Sequence, residues 1–272
     1  MDITKAINFI EDHGTDLEKA RIRHILYGTR PDPYVIQHLL DLQNPEGGFP
    51  YDLTPGNISS VSDTLNALWQ MDELGMLNSP AADNALQYLL SVQSEDGGWD
   101  KDADIAQYDP PPWAKPGSLA PRLYLSAYAA YWLALRGFKD HLSFKKALDF
   151  LRPYQDESGR FAGFPHTTWI ATSVYYIAGG EYSPVAERGI RSLMEKPLIE
   201  WEDSQIAWAL DCLSKAGFSK EHPFIQSCLE EIRQRQDANG CWVSEDGEAF
   251  TVGATLAALK VLKLYGLLPT GI

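Results

Sequence analysis

The sequence predicts an all-α chain assembled from helical repeats, and three observations carry that prediction. A short phrase occurs four times: Gln43-Asn44-Pro45-Glu46-Gly47-Gly48-Phe49, Gln93-Ser94-Glu95-Asp96-Gly97-Gly98-Trp99, Gln155-Asp156-Glu157-Ser158-Gly159-Arg160-Phe161 and Gln236-Asp237-Ala238-Asn239-Gly240-Cys241-Trp242. Helical periodicity can be followed through twelve segments. The connections between segments are unequal, brief at one end and long at the other. A phrase repeated in register with helical runs marks an array in which each unit buries its apolar face on its neighbours.

Each phrase reads Gln, three turn-prone residues, Gly, any residue, then an aromatic, and each follows an apolar run such as Ala85-Leu86-Gln87-Tyr88-Leu89-Leu90. The Gly suits the left-handed position that closes a helix, and the Gln can bond backbone groups freed at that end. The Phe or Trp can pack back over the turn. These phrases closely resemble the QW motif of the terpenoid cyclase and protein prenyltransferase superfamily, from about Tyr34 to Tyr265. The resemblance implies an α6/α6 toroid, six parallel inner helices inside six outer ones, and leaves the reaction open because one fold hosts many functions.

On that expectation the outer helices fall near 3–12, 33–43, 80–93, 142–155, 183–195 and 222–236, and the inner ones near 16–28, 61–75, 120–136, 166–179, 202–217 and 249–265. Inner segments such as Val252-Gly253-Ala254-Thr255-Leu256-Ala257-Ala258 are rich in small residues, which lets helices crowd, and the outer segments carry the charges. Inner-to-outer turns are brief, as at Gly75 to Pro80, Gly137 to His141 and Gly217 to His222. The outer-to-inner connections hold the phrases and reach an extreme between Asp100 and Ser118. Long loops therefore gather where the inner helices begin, at a mouth facing their N–H ends and positive dipole ends.

A continuous repeat over 272 residues argues for one domain, 1–272. The formal charge of −14 and pI near 4.8 argue against nucleic acid or an anionic membrane as partner. Cys212, Cys228 and Cys241 have neither metal-like nor disulfide-framework spacing, which fits a reducing cytoplasm. The N-terminus is too polar for a signal peptide, and no run is long enough for stable membrane insertion.

In class II terpene cyclases a barrel helix opens with Asp-x-Asp-Asp and the central Asp protonates an alkene or epoxide. The matching stretch is Ser60-Val61-Ser62-Asp63-Thr64, so only the last acid is kept. Asp63 is either an acid for a substrate more basic than an alkene, kept neutral by burial, or a helix cap. Protein prenyltransferases hold zinc with an Asp-x-Cys pair and a His. The matching positions are Asp203-Ser204-Gln205 and Thr251, which lack two of the three ligand types, so neither zinc nor any other cofactor is expected. Asp203 is left as a mouth carboxylate or a cap.

Tyr124, Tyr128 and Tyr131 share one helix face as a lumen wall or as packing. Pro165-His166-Thr167-Thr168-Trp169 puts an imidazole and an indole at the mouth, with His166 suited to acid, base or anion-binding work or to capping. Arg21, His24 and Arg122 can serve a head group or pair with surface carboxylates, and Asp63, Asn66 and Gln70 form a polar stripe. The 100–104 stretch lacks the Gly and the Glu of a calcium loop. The run Tyr108–Gly117 can fold over the mouth as a lid, with Asp102, Asp104 and Asp109 as secondary acids.

The reading this supports is a single-barrel, terpene-cyclase-like enzyme. It would take an isoprenoid or other apolar small molecule through metal-independent, acid-initiated cyclisation or isomerisation. Asp63 would be the acid, with His166 and Asp203 as partners. Arg21, His24, Asn66, Arg122, Tyr124, Tyr128, Tyr131 and Trp169 would bind. The alternative is a barrel without catalysis: a hydrophobic-ligand carrier, or a subunit that binds a helical protein or a second copy of itself.

Overall fold

Twelve α-helices are found among the described residues, in the segments where the periodicity predicts them. A computed structural model of the chain describes residues 1–111, 115–244 and 246–268. The segments expected outside are α1 Ile3–His13, α3 Pro33–Leu40, α5 Pro80–Ser91, α7 Leu142–Leu151, α9 Pro184–Glu195 and α11 Pro223–Gln234. Those expected inside are α2 Asp16–Tyr27, α4 Val61–Glu73, α6 Leu119–Leu135, α8 Pro165–Gly179, α10 Asp203–Ala216 and α12 Thr251–Leu264. The described strands are β1 Phe49–Pro50 and β2 Ser59–Ser60, antiparallel with Phe49 opposite Ser60.

The continuous repeat suggests one domain, and the helices cluster as two compact units, 36–193 and 1–35 with 194–272. In the first, α6 lies between α4 and α8, with α5 against α4 and α7 against α6. Ala127, Ala129 and Ala130 are buried on α6, and their small side chains permit this close approach. In the second unit α12 lies between α10 and α2, with α1 against α2 and α12 and α11 against α10. A buried ion pair joins the first two: Lys260 Nζ stands 2.9 Å from Asp211 Oδ2.

The phrases show why a Gln begins each one. Its side-chain N–H groups reach two carbonyls, one in its own turn and one at the start of another odd-numbered helix. Gln93 Nε2 donates to Gly97 O and Ser143 O, both at 2.8 Å. Gln43 pairs with Gly47 O and Ala81 O, Gln155 with Gly159 O and Val185 O, and Gln236 with Gly240 O and Asp2 O. The Gln thus clamps successive repeats, where the sequence alone suggested the end of the preceding helix. The Gly sits in the turn itself. Gly159 has φ 93, and a Cβ there would lie 2.1 Å from Arg188 O in α9, so the left-handed backbone and the lack of space both require glycine.

The aromatic is fixed through its backbone. The N–H of Phe49, Trp99, Phe161 and Trp242 donates to the hydroxyl of Thr64, Ser126, Thr168 and Thr255 at 2.9, 2.8, 3.1 and 3.1 Å. Each acceptor lies on an even-numbered helix, so every phrase is bonded to the N-terminal half of one. The two indoles also donate, Trp99 Nε1 to Leu89 O at 2.7 Å and Trp242 Nε1 to Ile232 O at 2.6 Å.

Capping follows the same alternation. The odd helices take a side-chain cap from Asp2, Asp32, Ser79, His141, Ser183 and His222 respectively. Of the even helices, α2 has a Thr15–Glu18 capping box, whereas the N-cap residues of α4, α6, α8, α10 and α12 make no side-chain capping bond. First-turn N–H groups there are left without that partner.

Candidate active site

α4 begins on a backbone fixed from two sides. Thr64 Oγ1 donates to Ser60 O at 2.7 Å while receiving the Phe49 N–H, so the residues between are held against the first phrase. Within that turn Ser60 Oγ and Ser62 Oγ are 2.9 Å apart, and Ser62 Oγ donates to Asp63 Oδ2 at 3.1 Å. Among the described residues the Asp63 carboxylate accepts from this hydroxyl and from no backbone N–H, so it is not a helix cap.

Its electrostatics follow from that placement. Burial holds the Asp63 carboxyl above the usual aspartate range. The hydroxyls of Ser60 and Ser62 and the charge of Lys101 pull it back, and Asp52 pushes it further up. Tyr51 lies in the same field: burial raises its phenol, helped by Asp52 and Asp63. Burial raises Tyr88 as well, with Asp102, Glu46 and Asp63 adding to the effect. Asp52 has φ 57, an uncommon conformation for a residue with a side chain, of the kind that gathers at functional sites. Further along α4, Gln70 Nε2 donates to Asn66 Oδ1 at 3.4 Å, which continues the expected polar stripe.

On α6 the three tyrosines stand together. Tyr124 and Tyr128 stack at 5.8 Å between centroids, and Tyr128 and Tyr131 at 6.0 Å. The His166 ring meets Tyr124 edge-on at 4.6 Å, stacks on Phe164 at 5.1 Å and approaches Trp169 at 5.9 Å. Burial among these rings lowers the His166 imidazole to about 4. It is therefore neutral at pH 7 and does not bind an anion as a cation.

The cations expected at the mouth have partners. Arg122 Nη2 donates to Asp96 Oδ1 and Oδ2 at 2.6 and 2.8 Å, and its guanidinium lies 4.9 Å over Phe150. Arg21 is buried on α2, and His24 Nδ1 lies 3.1 Å from Thr29 O. Asp203 Oδ1 accepts from Arg235 Nη1 at 3.0 Å, and the same guanidinium reaches Trp201 O and Leu198 O, bracing the segment before α10, which lacks a phrase. Arg21, His24 and Asp203 belong to the unit of 1–35 and 194–272; Asp63, Asn66, Arg122, Tyr124, Tyr128, Tyr131, His166 and Trp169 belong to the other. Among the described residues no group of three or more His, Cys, Asp or Glu side chains is placed to hold a metal ion, and no helix is long and apolar enough to cross a membrane.

The long connection adds residues that sequence reasoning missed. Tyr108 stacks on Tyr51 at 5.2 Å, and its hydroxyl accepts the Ile58 N–H at 3.1 Å, so the 3-10 turn Ala103–Tyr108 is docked beside the β1–β2 hairpin. Asp102 is used in that turn, accepting the Asp104 N–H at 2.8 Å, and Asp104 and Asp109 are exposed. Residues 112–114 of the expected lid lie outside the described residues. Lys101, the cation acting on Asp63, carries no sequence signal beyond the length of its loop.

No protein-family model matches the chain. Over 149 residues, 54% of its length, the chain is 26% identical to squalene–hopene cyclase from Bradyrhizobium diazoefficiens, and the match spans 22% of that enzyme. The type II terpene cyclase MstE from Scytonema superposes with a TM-score of 0.61 at 17% identity, covering 91% of this chain and 87% of that one. A variant of MstE solved with geranylgeranyl dihydroxybenzoate as substrate gives 0.62 at 17% identity, covering 93% and 87%. A protein from Actinoplanes gives 0.66 at 16% identity, covering 97% and 98%. Mostly helical and with the four phrases in register, the chain has the fold of these type II terpene cyclases and spans about a fifth of the squalene–hopene cyclase that it resembles in sequence.

Proposed function

We propose that the chain is a terpene-cyclase-like enzyme in which Asp63 protonates an isoprenoid or similarly apolar small molecule, starting a cyclisation or isomerisation that uses no metal. The observation that carries this reading is the state of Asp63: partly buried, held by hydroxyls, uncommitted to capping, and shifted toward its protonated form. Ser60 and Ser62 stand where the family has acids, so the accepting atom is expected to be more basic than a simple alkene, for instance an epoxide oxygen or an electron-rich double bond. The stacked tyrosines on the neighbouring α6 offer ring faces to a cation. Neutral His166 has a nitrogen lone pair able to take the terminal proton from a carbocation, itself a far stronger acid. That MstE is solved with a geranylgeranyl-bearing substrate makes this chemical class the first to try.

The test is incubation with fifteen- and twenty-carbon prenyl arenes, alcohols and their terminal epoxides, with and without EDTA, read by mass spectrometry. Wild type is expected to form a product isomeric with its substrate, equally in EDTA, and Asp63→Asn is expected to bind without turnover. Binding without conversion by wild type would instead favour the carrier reading, which the loss of two motif acids at Ser60 and Ser62 supports.

A further inference from the structure

We propose that His141 and His222 make the starts of α7 and α11 acid-sensitive. Each imidazole caps its helix only while neutral, and its protonation releases the first turn together with the contact that this turn makes within its own unit. The proposal is independent of the role of Asp63.

The two starts are built alike. Each follows a glycine in the left-handed region, Gly137 with φ 83 and Gly217 with φ 99, and a phenylalanine directly after it, Phe138 and Phe218. The phenylalanine ring meets the histidine ring edge-on, at 6.0 Å and 74° for Phe138–His141 and at 5.8 Å and 89° for Phe218–His222. Held there, His141 Nδ1 accepts the Ser143 N–H at 3.2 Å and His222 Nδ1 accepts the Phe224 N–H at 3.3 Å. A ring nitrogen accepts an N–H only through a lone pair, so both rings are neutral and carry their proton on Nε2. The other odd helices are capped by oxygens of Asp2, Asp32, Ser79 and Ser183, which go on accepting at pH values where an imidazole is protonated.

Each cap stands beside a link to the neighbouring repeat. Ser143, whose N–H is capped, also offers the carbonyl that Gln93 of the second phrase clamps at 2.8 Å. Phe224, the residue capped by His222, is buried and packs on Trp201 at 5.9 Å in the segment before α10. A proton on Nδ1 would point at the N–H that the nitrogen now accepts and would set a cation at the positive end of the helix. Both effects turn the ring away and leave the first turn without its cap. At His222 burial acts in the same direction and holds the imidazole below its usual range. Its folded pKa therefore lies below the unfolded value of about 6.5, so its stabilisation is complete above that value and is lost as pH falls through it.

The charges around the caps have other partners or are exposed. Near His141, Arg136 at the end of α6 is bonded to Asn78 and Asp83, and Asp96 of the second phrase to Arg122. Lys139, Asp140, Lys145, Lys146 and Glu95 are exposed and screened by salt. Near His222, Lys215 at the end of α10 pairs with Asp211, Glu221 accepts from Ser219 Oγ, and Lys196 lies 5.6 Å over Trp201. Lys220 and Glu200 are exposed.

The test is amide hydrogen exchange of the full chain, corrected for the intrinsic rate, between about pH 7.5 and about pH 5, with nitrogen NMR of the histidine rings on the same samples. Protection of the Ser143 and Phe224 amides is expected to fall about fivefold across that range. In the double variant His141→Asn, His222→Asn it is expected to stay level, because an asparagine oxygen caps at either pH. At the upper pH both wild-type rings are expected to carry their proton on Nε2. A proton on Nδ1 at either ring, protection that does not fall, or an equal fall in the asparagine variant overturns the proposal. If that variant does not fold, the ring titration decides: His222 must titrate below about 6.5, and a value at or above it overturns the proposal equally.

Discussion

At the residue scale, Asp63 occupies the first turn of a helix, where an aspartate ordinarily accepts backbone N–H groups and has its pKa lowered. Here the Ser60–Ser62 hydroxyl pair takes that place, and burial dominates the titration. The sign for stability follows. A carboxyl whose folded pKa lies above its unfolded value favours folding only below the unfolded value and opposes it as pH rises through the folded one. Asp63→Asn is therefore expected to raise the melting temperature at pH 7, with the difference vanishing near pH 3; a lower melting temperature at pH 7 would show that the carboxylate stabilises the helix. The position of Asp63 and the tyrosine face were legible in the sequence because both follow from helical spacing. Two features were not: the imidazole of His166 is held neutral by burial among rings from α6 and its own helix, and the charge of Lys101 acts on Asp63 from a loop.

At the scale of elements, each phrase is a two-sided clamp. Gln93→Ala removes both donors from Gly97 O and Ser143 O, and a loss of about 1 to 3 kcal/mol is expected. Gln93→Glu keeps the shape but faces two carbonyls with a group lacking N–H, so it should lose at least as much. Trp99→Ala, which empties a buried site and leaves Leu89 O without its donor, should cost about 3 to 5 kcal/mol. Urea midpoints for the three variants check this, and values at wild type would mean the clamps do not hold the repeats. A second connection joins α10 to α12 through Asp211 and Lys260, and Lys215 Nζ stands 3.2 Å from the same carboxylate. Burial opposes the Asp211 charge, but the two ammonium groups outweigh it and hold the pKa below the usual range. This stabilisation is present above the unfolded carboxyl value and lost as pH falls through the folded one. Asp211→Ala leaves Lys260 buried without that carboxylate, and about 3 to 5 kcal/mol should be lost at pH 7, less at pH 3. The phrases announced the helix order; this pair did not announce itself, because Asp211 and Lys260 lie 49 positions apart with no motif around either.

At the scale of the whole molecule, the all-α repeat was readable because an array writes the same physics several times, so each Gln, Gly and aromatic vouches for the others. The clustering into two units was not readable, since the phrases run through both. Nor was the chemistry, since Ser60 and Ser62 replace motif acids and the meaning of the remaining one depends on its surroundings. The net charge of −14 makes self-repulsion and solubility features of the whole chain, while the reactive group proposed here is a carboxyl shifted toward neutrality inside it. The most direct test is therefore the titration of that one group in the wild-type protein, followed by carboxyl-carbon NMR with Asp63→Asn as the assignment control. A midpoint clearly above the aspartate reference of about 3.9 is the result expected of an acid that holds its proton until a substrate takes it. A midpoint at or below that reference would contradict it and remove Asp63 from the acid role.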